Sequence, residues 1–447
     1  MKHAWDGYRQ YAFGMDELQP VTNGSNNKWG GWGVTLIDAL DTLYIMDLFE
    51  EFNEGAAHVA TLNFSAARKG YTTPFFEMVI RSLAGLLTSY EMSLDRRLLK
   101  KAQEVGDVLF PAFNTTTGIP YPRVDVNSGQ PIYTSKVCIA EAGTVQLEYW
   151  KLSELTGNKT YHEAAQRVVD VLDKADKPYK GLYPIWVDIQ TGAVSSGQIT
   201  FGGQGDSWYE YMLKQYLYSR QTNDQYRRMY EESIDSMKEK MVKTSIYDPQ
   251  MAYIGDLDST ATRFNPKFQH LTCFVPGMLA LGSKPLNRPD DLELAKKLAY
   301  TCYQMYNRTD TGLGAEYVLF RDSNDLGISA NGFYFGYDRS YILRPETIES
   351  LMILYRVTGD EMYKEWGWSM FLAIEKWTKT PAAYSAYGDV TSTEGKSVLT
   401  DSMESFFLAE TLKYLYLLFS PVDYYSLDEF VFNTEAHPFR ILRSPRP

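Results

Sequence analysis

Long apolar runs are scarce in this chain of 447 residues, and its 44 Lys and Arg are outnumbered by 56 Asp and Glu. No run of about 20 apolar residues occurs, so we expect no membrane span. The first residues also lack an apolar signal core, and we expect that a signal or anchor was removed from the sequence given. The formal net charge of −12 argues against nucleic acid as a partner, because phosphate contacts need clustered Lys and Arg.

Cysteine and histidine are few as well, with three and five copies. The histidines form no HExxH pattern, so zinc chemistry is unsupported, and neither a Gly-rich phosphate loop nor a serine nucleophile elbow occurs. Cys138, Cys273 and Cys302 fit either three small buried side chains or one disulfide with a spare thiol, and their spacing does not select the pair.

Glycosylation sequons are present and favour a secretory route for the protein. The Asn-X-Ser/Thr sequons begin at Asn23, Asn63, Asn114, Asn158 and Asn307.

The chain is organised as a repeated helical plan. Helical periodicity runs through most of it, with no sustained two-residue alternation. Polar residues open helical segments at nearly regular intervals, and a more charged helix follows each time. These openers are Glu77, Glu141, Asp206, His270, Glu346 and Glu410. A helical pair repeated in this way cannot bury its apolar face alone and must stack on its neighbours.

An open solenoid or a closed ring would satisfy that requirement, and we favour the ring. The inner helices are apolar on more than one side, as expected when outer helices and inner neighbours both cover them. Counting the N-terminal segment Trp32–Met46 as another inner helix gives about seven hairpins, so we predict an all-α fold, an (α/α) toroid of helical hairpins, as a single domain over residues 1–447. The stretch around residues 425–440 predicts a C-terminal β-hairpin that plugs the ring, with a surface tail as the alternative.

In a closed ring the openers converge on one cavity, so several acids would meet there. Glycoside hydrolysis needs one carboxylic acid to protonate the leaving oxygen and a second carboxylate to activate water or attack the sugar. Glu77, Asp206 and Glu346 are our candidates. Arg81, one turn from Glu77, would pair with it or hold a sugar hydroxyl. Any one acid alone fits a solvated helix residue or a capping residue, but their recurrence favours function. Carboxylates and Thr434 are also oxygen ligands that Ca²⁺ accepts, although no EF-hand loop occurs.

A set of ordered motifs carries a family resemblance. The motifs are Gly31-Trp-Gly-Val-Thr-Leu-Ile-Asp38-Ala-Leu-Asp-Thr-Leu, Phe76-Glu77-Met-Val-Ile-Arg81, Gly205-Asp206-Ser-Trp-Tyr-Glu-Tyr, His270-Leu-Thr-Cys-Phe, Arg344-Pro-Glu346-Thr-Ile-Glu349-Ser, Glu404-Ser-Phe-Phe-Leu-Ala-Glu410-Thr and Phe432-Asn-Thr434-Glu. Over essentially its whole length the chain resembles the class I α-1,2-mannosidases, glycoside hydrolase family 47. The resemblance implies an (α/α)7 barrel plugged by a C-terminal β-hairpin, with Ca²⁺ at the base of the cavity.

The implied activity is that of a calcium-dependent, inverting exo-glycosidase. It would remove terminal α-1,2-linked mannose from high-mannose N-glycans of glycoproteins, in the endoplasmic reticulum or Golgi lumen or outside the cell. We expect a monomer.

The resemblance also assigns roles. Glu77 would be the general acid, acting through a water, and Glu346 the general base, with Asp206 its rival or assistant. Thr434 would bind Ca²⁺ through its carbonyl and hydroxyl oxygens. Further residues would line the pocket and hold sugar or calcium-bound waters, with Phe406 beneath the mannose ring. These pocket residues are Arg81, Glu141, His270, Arg344, Glu349, Phe406, Glu410 and Glu435.

Two further positions follow from the resemblance. Cys273 and Cys302 match the family's disulfide and leave Cys138 free. Gln204 stands two residues before Asp206, where endoplasmic-reticulum-type relatives carry Arg and Golgi-type relatives a smaller apolar residue. That Arg helps to select the glycan branch, so the branch preference stays open.

Two other functions would use a similar barrel. A glycan-binding or folding-surveillance relative is disfavoured because the aligned catalytic positions are intact. A different helical-toroid glycosidase would not explain Thr434 in its Asn-Thr-Glu setting.

Overall fold

The computed structural model describes residues 1–68, 70–320 and 332–442, and its regular structure is mostly helical. The α-helices, α1 to α16 in chain order, span Lys2–Tyr11, Val34–Ile45, Phe49–Val59, Phe75–Met78, Ala84–Ser93, Arg96–Leu109, Ile139–Gly143, Gln146–Thr156, Thr160–Lys174, Asp206–Tyr218, Asp224–Lys240, Val275–Ser283, Pro289–Asn307, Glu346–Thr358, Met362–Trp377 and Leu412–Leu418. Turns of 3₁₀-helix span Phe110–Phe113, His270–Phe274 and Gly395–Val398, and π-helical turns span Val79–Leu83 and Phe407–Thr411.

Within the described part of the chain, seven α-helices form the inner wall of a closed ring. Each packs on the next in the order α2, α5, α8, α10, α12, α14 and α16, and α16 returns to α2. Outer helices cover them: α3 lies on α2, α6 on α5, α9 on α8, α11 on α10, α13 on α12 and α15 on α14. Because inner helices are covered on several sides, α10 buries every residue from Ser207 to Tyr218. The predicted (α/α)7 barrel is confirmed.

Repeated turn chemistry ends several of these helices. α8 and α14 both stop at a glycine in the left-handed conformation, Gly157 with φ 76° and Gly359 with φ 73°. Glycine adopts this conformation without the steric cost of a Cβ atom. Among the outer helices, α6 is capped by Asp95 and α11 by Asn223, whose side chains accept backbone hydrogen bonds of the first turn.

The links between helices contain short strands that the helical periodicity did not predict, and the last two strands, after α16, form the expected C-terminal hairpin. The strands β1 to β17 span Glu17–Gln19, Gly24–Asn26, Thr73–Pro74, Arg123–Asp125, Gln130–Pro131, Lys136–Cys138, Trp186–Asp188, Val194–Ser196, Val242–Thr244, Ala252–Ile254, Asp256–Leu257, Phe264–Asn265, Lys267–Gln269, Tyr317–Leu319, Tyr334–Phe335, Phe430–Phe432 and Pro438–Arg440. They pair in antiparallel sheets of two or three strands. β3, β6 and β13 each belong to a three-stranded sheet and run directly into an inner helical segment. These sheets therefore fix where those segments begin.

The C-terminal hairpin, β16 with β17, runs through the ring from one end. Near its base, the backbone N–H of Leu442 donates to the carbonyl of Tyr218, the last residue of α10 (3.3 Å). Its tip reaches the opposite end, where Thr434 and Glu435 line a cavity with Asp206, the first residue of α10. The predicted plug is confirmed, and the surface-tail alternative is wrong.

Fully buried charges hold the plug against the ring. The His437 ring lies 2.8 Å from Asp41 through Nδ1 and 3.0 Å from Asp38 through Nε2. Lys413 donates to Asp41 (2.9 Å) and to the carbonyl of Ala436 (2.8 Å). All four charged side chains have zero solvent exposure. An ion network this deep must be satisfied as a unit, because removing one partner leaves a buried charge unpaired.

A disulfide joins Cys273 and Cys302, with Cα atoms 5.9 Å apart, and Cys138 is free and buried. The expected pairing is confirmed. It connects the 3₁₀ turn that leads into α12 to the outer helix α13 of the same pair. None of the helices in the described ranges combines the length and the apolar character needed to cross a membrane.

Candidate active site

The inner helical segments open onto a cavity of about 290 Å³ at the end reached by the hairpin tip. Carboxylates dominate its wall, and Arg81 and Arg344 are the cations of the lining. The lining acids are Glu77, Glu141, Asp206, Glu210, Glu346, Glu349, Glu410 and Glu435. The cavity therefore carries a large excess of acidic groups.

A larger groove of about 620 Å³ lies at the other end of the barrel. The last turns of α10 and α14 contribute Leu217 and Val357 to it, and basic and acidic residues alternate with apolar ones around its edge. It lacks a convergent set of acids, so the smaller cavity is the candidate site.

All sugar-site and metal-site residues expected from the sequence, except His270, line this cavity. They are Glu77, Arg81, Glu141, Gln204, Asp206, Arg344, Glu346, Glu349, Phe406, Glu410, Thr434 and Glu435. The structure thus brings together residues from six helical segments and the hairpin tip.

Glu346, the first residue of α14, is held by two positively polarised groups. Nδ1 of His270 lies 2.8 Å from one carboxylate oxygen, and Nη1 of Arg344 lies 3.6 Å from the other. Burial alone would raise the pKa of Glu346, but the His270 hydrogen bond and the Arg344 charge outweigh it, so the pKa lies below its ordinary value. Glu346 is therefore ionised at neutral pH.

His270 does not line the cavity, contrary to the expectation from the sequence. It is fully buried in a 3₁₀ turn, where its Nε2 atom lies within hydrogen-bond distance of the hydroxyl of Tyr306 (2.6 Å). The ionised carboxylate of Glu346 can only accept, so Nδ1 of His270 carries a hydrogen and donates to it. His270 thus acts on the cavity through Glu346.

Arg81 connects the proposed acid with the hairpin tip. It lies in the π-helical turn that follows α4, and its Nε atom donates to Glu77 (2.9 Å). Its Nη1 atom donates to Ser405 (3.1 Å) and to Glu435, and lies 3.6 Å from Asp38. The guanidinium carbon is also 5.9 Å from the centre of the Phe406 ring. One cation therefore fixes the first acid, the plug and an aromatic wall relative to each other.

Asp206 begins α10 after a tightly packed glycine turn. A Cβ atom on Gly205 would lie 2.2 Å from the carbonyl oxygen of Thr200, so only glycine fits there. Gln204, with φ 77°, takes the left-handed conformation and lines the cavity. Burial raises the pKa of Asp206 to about 7, although the backbone N–H of Ser207 (2.8 Å) offsets part of the effect.

Three further acids that line the cavity have raised pKa values. Burial raises the pKa of Glu349 to about 8, with Lys214 opposing the shift from 3.7 Å. Burial and neighbouring carboxylates also raise the pKa values of Glu410 and Glu435. The positive charges of Lys214 and Arg81 do not cancel these shifts, and a bound cation would add further positive charge.

Glu210 lines the cavity and forms an ion pair with Lys214, but it was not among the site residues predicted from the sequence. Glu210 lies four residues after Asp206 on the same helix, which places both on one face, so spacing could have found it. The apolar wall residues Leu271 and Phe274 were also missed, because apolar residues carry no such signal.

Thr434 offers two oxygen atoms to the cavity. Its backbone N–H donates to the hydroxyl of Tyr211 (3.3 Å), whereas across the described chain its carbonyl and hydroxyl oxygens take part in no protein hydrogen bond. Nor do the described residues contain a group of three or more His, Cys, Asp or Glu side chains that could ligate a metal together. The oxygen donors of Thr434, surrounded by acids, fit a hard cation that keeps several waters.

Comparison with known proteins agrees with this geometry. The model of glycosyl hydrolase family 47 matches residues 1–441. The chain is 41% identical to mannosyl-oligosaccharide 1,2-alpha-mannosidase MNS1 of Arabidopsis thaliana, over 100% of this chain and 78% of that protein. It is 41% identical to the human endoplasmic reticulum mannosyl-oligosaccharide 1,2-alpha-mannosidase, over 98% of this chain but 62% of that protein.

A solved structure is similar over the whole barrel. The alpha-1,2-mannosidase from Trichoderma reesei superimposes with a TM-score of 0.94 at 32% identity, covering 99% of this chain and 97% of that one. The family match, the identities and the shared architecture lead to one conclusion: the chain belongs to glycosyl hydrolase family 47.

Proposed function

We propose that this protein is a mannosyl-oligosaccharide 1,2-α-mannosidase that removes terminal α-1,2-linked mannose from high-mannose N-glycans, with inversion and with calcium. The Arabidopsis and human relatives are named mannosyl-oligosaccharide 1,2-alpha-mannosidases, and the Trichoderma reesei structure is named an alpha-1,2-mannosidase. The observation that carries the proposal is an ionised Glu346, held by His270 and Arg344, in a cavity that also contains the acid Glu77.

Glu346 is the better base of the two candidates. A general base must be ionised to take a proton from water. Glu346 meets this condition, whereas the pKa of about 7 leaves Asp206 partly protonated at neutral pH. In the proposed step Glu346 removes a proton from the water that attacks the sugar, and Glu77 protonates the leaving oxygen through a second water. Asp206 assists beside them.

Calcium would be held by the carbonyl and hydroxyl oxygens of Thr434, with waters between the ion and Glu349, Glu410 and Glu435. Support comes from the free oxygens of Thr434 and from the raised pKa values of these acids. When bound, the ion would supply positive charge that orients sugar hydroxyls. Arg81 and Phe406 would position the sugar against the wall of the cavity.

We further propose that the protein acts in the secretory pathway, on the glycans of glycoproteins, as a monomer with a single catalytic domain. The disulfide supports an oxidising compartment. The asparagines of all five sequons are exposed, as glycosylation requires. The human relative's name places that protein in the endoplasmic reticulum. Gln204 borders the cavity and is the residue to vary when the preferred glycan branch is mapped.

The test is release of mannose from a high-mannose N-glycan, followed by proton NMR, with and without EDTA. We expect β-mannose to appear first, because inversion of an α-linkage gives the β-anomer, and we expect calcium to restore activity after EDTA. Early α-mannose would contradict inversion, and EDTA-resistant release would contradict the metal. Glycan binding without release would assign the protein to glycan recognition instead.

A further inference from the structure

We propose that Glu148 and Tyr211 form a buried brace that sets the position of the hairpin tip, and of Thr434 with it. Both are positioning residues, since neither lines the cavity. The link to calcium rests on the proposed function, but the placement of the tip does not.

Glu148 lies on the inner helix α8 with zero solvent exposure. Its Oε1 atom accepts hydrogen bonds from the hydroxyl of Tyr211 and from the side-chain amide of Asn433 (2.8 Å). Asn433 is the residue immediately before Thr434. The carboxyl of Glu148 therefore connects the inner wall to the plug at the point where the tip begins.

Tyr211 makes the second connection from the neighbouring inner helix, α10. Its hydroxyl donates to Glu148 and accepts from the backbone N–H of Thr434 (3.3 Å). A tyrosine hydroxyl has one hydrogen, so the acceptor on Glu148 orients it to receive the N–H of Thr434. Glu148 acts on Thr434 through this hydroxyl.

The side chain of Asn433 links Glu148 to the backbone of the hairpin tip. Its amide also donates to the carbonyl of Ile80 (3.0 Å). Its side-chain oxygen accepts from the backbone N–H groups of Glu435 (3.0 Å) and His437 (2.8 Å). The turn on either side of Thr434 is thus closed by a side chain that Glu148 holds in one orientation.

Stability alone does not explain a carboxyl group at this depth. Burying it costs free energy, and in the described structure its Oε2 atom is buried without a hydrogen-bond partner. An apolar side chain of similar size would avoid that cost. What Glu148 adds is an acceptor that selects one arrangement of Tyr211 and Asn433.

The experiment compares Glu148→Met, Tyr211→Phe and the double variant with wild type. Glu148→Met removes the acceptor and keeps the length of the side chain, whereas Glu148→Gln keeps one acceptor oxygen and should restore the tip. Tyr209→Phe is the matched control. Tyr209 is a buried tyrosine on the same helix, but its hydroxyl accepts from the backbone N–H of Tyr183 (3.1 Å) and not from the hairpin tip.

Two measurements are made on each metal-free protein, namely calcium titration and amide hydrogen exchange of residues 430–440. We expect Glu148→Met and Tyr211→Phe each to weaken calcium binding by roughly 10-fold or more, as loss of a contact behind a metal ligand does. The double variant should lose little more than Glu148→Met, because the Tyr211 hydroxyl depends on Glu148 for its orientation, whereas Glu148 also holds Asn433 directly. Amide hydrogen exchange of the hairpin tip should be faster in these variants than in wild type, and it should be unchanged in Tyr209→Phe.

Wild-type-like exchange of the tip in both single variants would overturn the brace, as would equal acceleration in Tyr209→Phe. If wild type binds no calcium, the metal part of the proposed function fails, and hydrogen exchange alone decides whether Glu148 and Tyr211 place the tip. Additive losses in the double variant would show two separate effects and would also overturn the proposal.

Discussion

His270 lies behind Glu346, with its Nδ1 atom 2.8 Å from the carboxylate and its Nε2 atom 2.6 Å from the hydroxyl of Tyr306. His270 and Tyr306 are buried, so the proposed base has a fixed hydrogen-bond donor that the substrate does not touch. A donor to the ionised form stabilises that form, so His270 tunes when Glu346 can act.

Replacing Glu346 with Gln should abolish turnover while preserving the fold. A positioned general base contributes about 10²- to 10⁴-fold, so we expect kcat to fall at least about 100-fold. Binding of a mannose-like inhibitor and the Tm should stay close to wild type, because the amide keeps the size of the side chain. Rates of mannose release and calorimetric binding check both points, and wild-type-like turnover would exclude Glu346 as the base.

Replacing His270 with Phe should move the acidic limb of the pH profile. Loss of the Nδ1 donor raises the pKa of Glu346, which now lies below its ordinary value, so the base becomes protonated at a higher pH. On the acidic side, kcat/KM should fall about tenfold for each pKa unit gained. Tyr306→Phe keeps the Nδ1 contact and serves as the control. An acidic limb that stays in place in His270→Phe would show that another group controls it.

Replacing Thr434 with Ala should weaken calcium binding, since it removes the hydroxyl and leaves the carbonyl. We expect a loss of at least about tenfold in affinity, the lower bound for contacts one step further from a metal. Thr434→Ser retains the hydroxyl and should bind like wild type. Titration of metal-free protein separates these outcomes, and equal affinity in Thr434→Ala would remove the hydroxyl from the ligand set.

Replacing His437 with Gln should destabilise the protein in a pH-dependent way. Burial alone would lower the pKa of His437, but Asp41 and Asp38 outweigh burial and raise it above 6.5. The stabilisation from the charged ring is therefore complete below about pH 6.5 and is lost as pH rises through the raised pKa.

The free energy of unfolding should drop by about 3–5 kcal/mol at pH 6, the cost of breaking a buried ion network, and by less at pH 9. Urea unfolding at both pH values measures this difference. His3→Gln is the control, because His3 is only partly buried and contacts a carbonyl, that of Thr380 (3.0 Å). Equal losses at pH 6 and pH 9 would mean that the charge of His437 does not stabilise the plug.

The sequence predicted the ring and most of the residues that line the cavity, because both follow from the regular spacing of the helical pairs. Helical pairs that cannot bury themselves must stack, and a ring places their first residues at one end, so Glu77, Asp206 and Glu346 converge. The hairpin plug followed from the change of pattern after α16. The sequence did not predict which acid is ionised, because the pKa of each acid depends on neighbours such as Arg344, which only the folded chain brings into contact.

The errors have equally local causes. His270 was placed in the pocket because it occupies an opener position, but a 3₁₀ turn begins there instead of an α-helix and its ring points behind Glu346. The short strands between the helices were not predicted, because two or three residues cannot show alternation. The π-helical turn that carries Arg81 has no signature that sequence periodicity can reveal.

Ring closure between α2 and α16 also fixes the order of events during synthesis. Asp38, on α2, emerges from the ribosome early, whereas its partner His437 is made almost 400 residues later (a separation of 399). Glu77 is likewise synthesised long before Glu435, to which Arg81 connects it by donating to both carboxyl groups. Domains with such long-range contacts complete their packing late. The cavity therefore lacks Thr434 and Glu435 until the last hairpin has entered the ring, and under the proposed function we expect truncation before that hairpin to abolish mannose release.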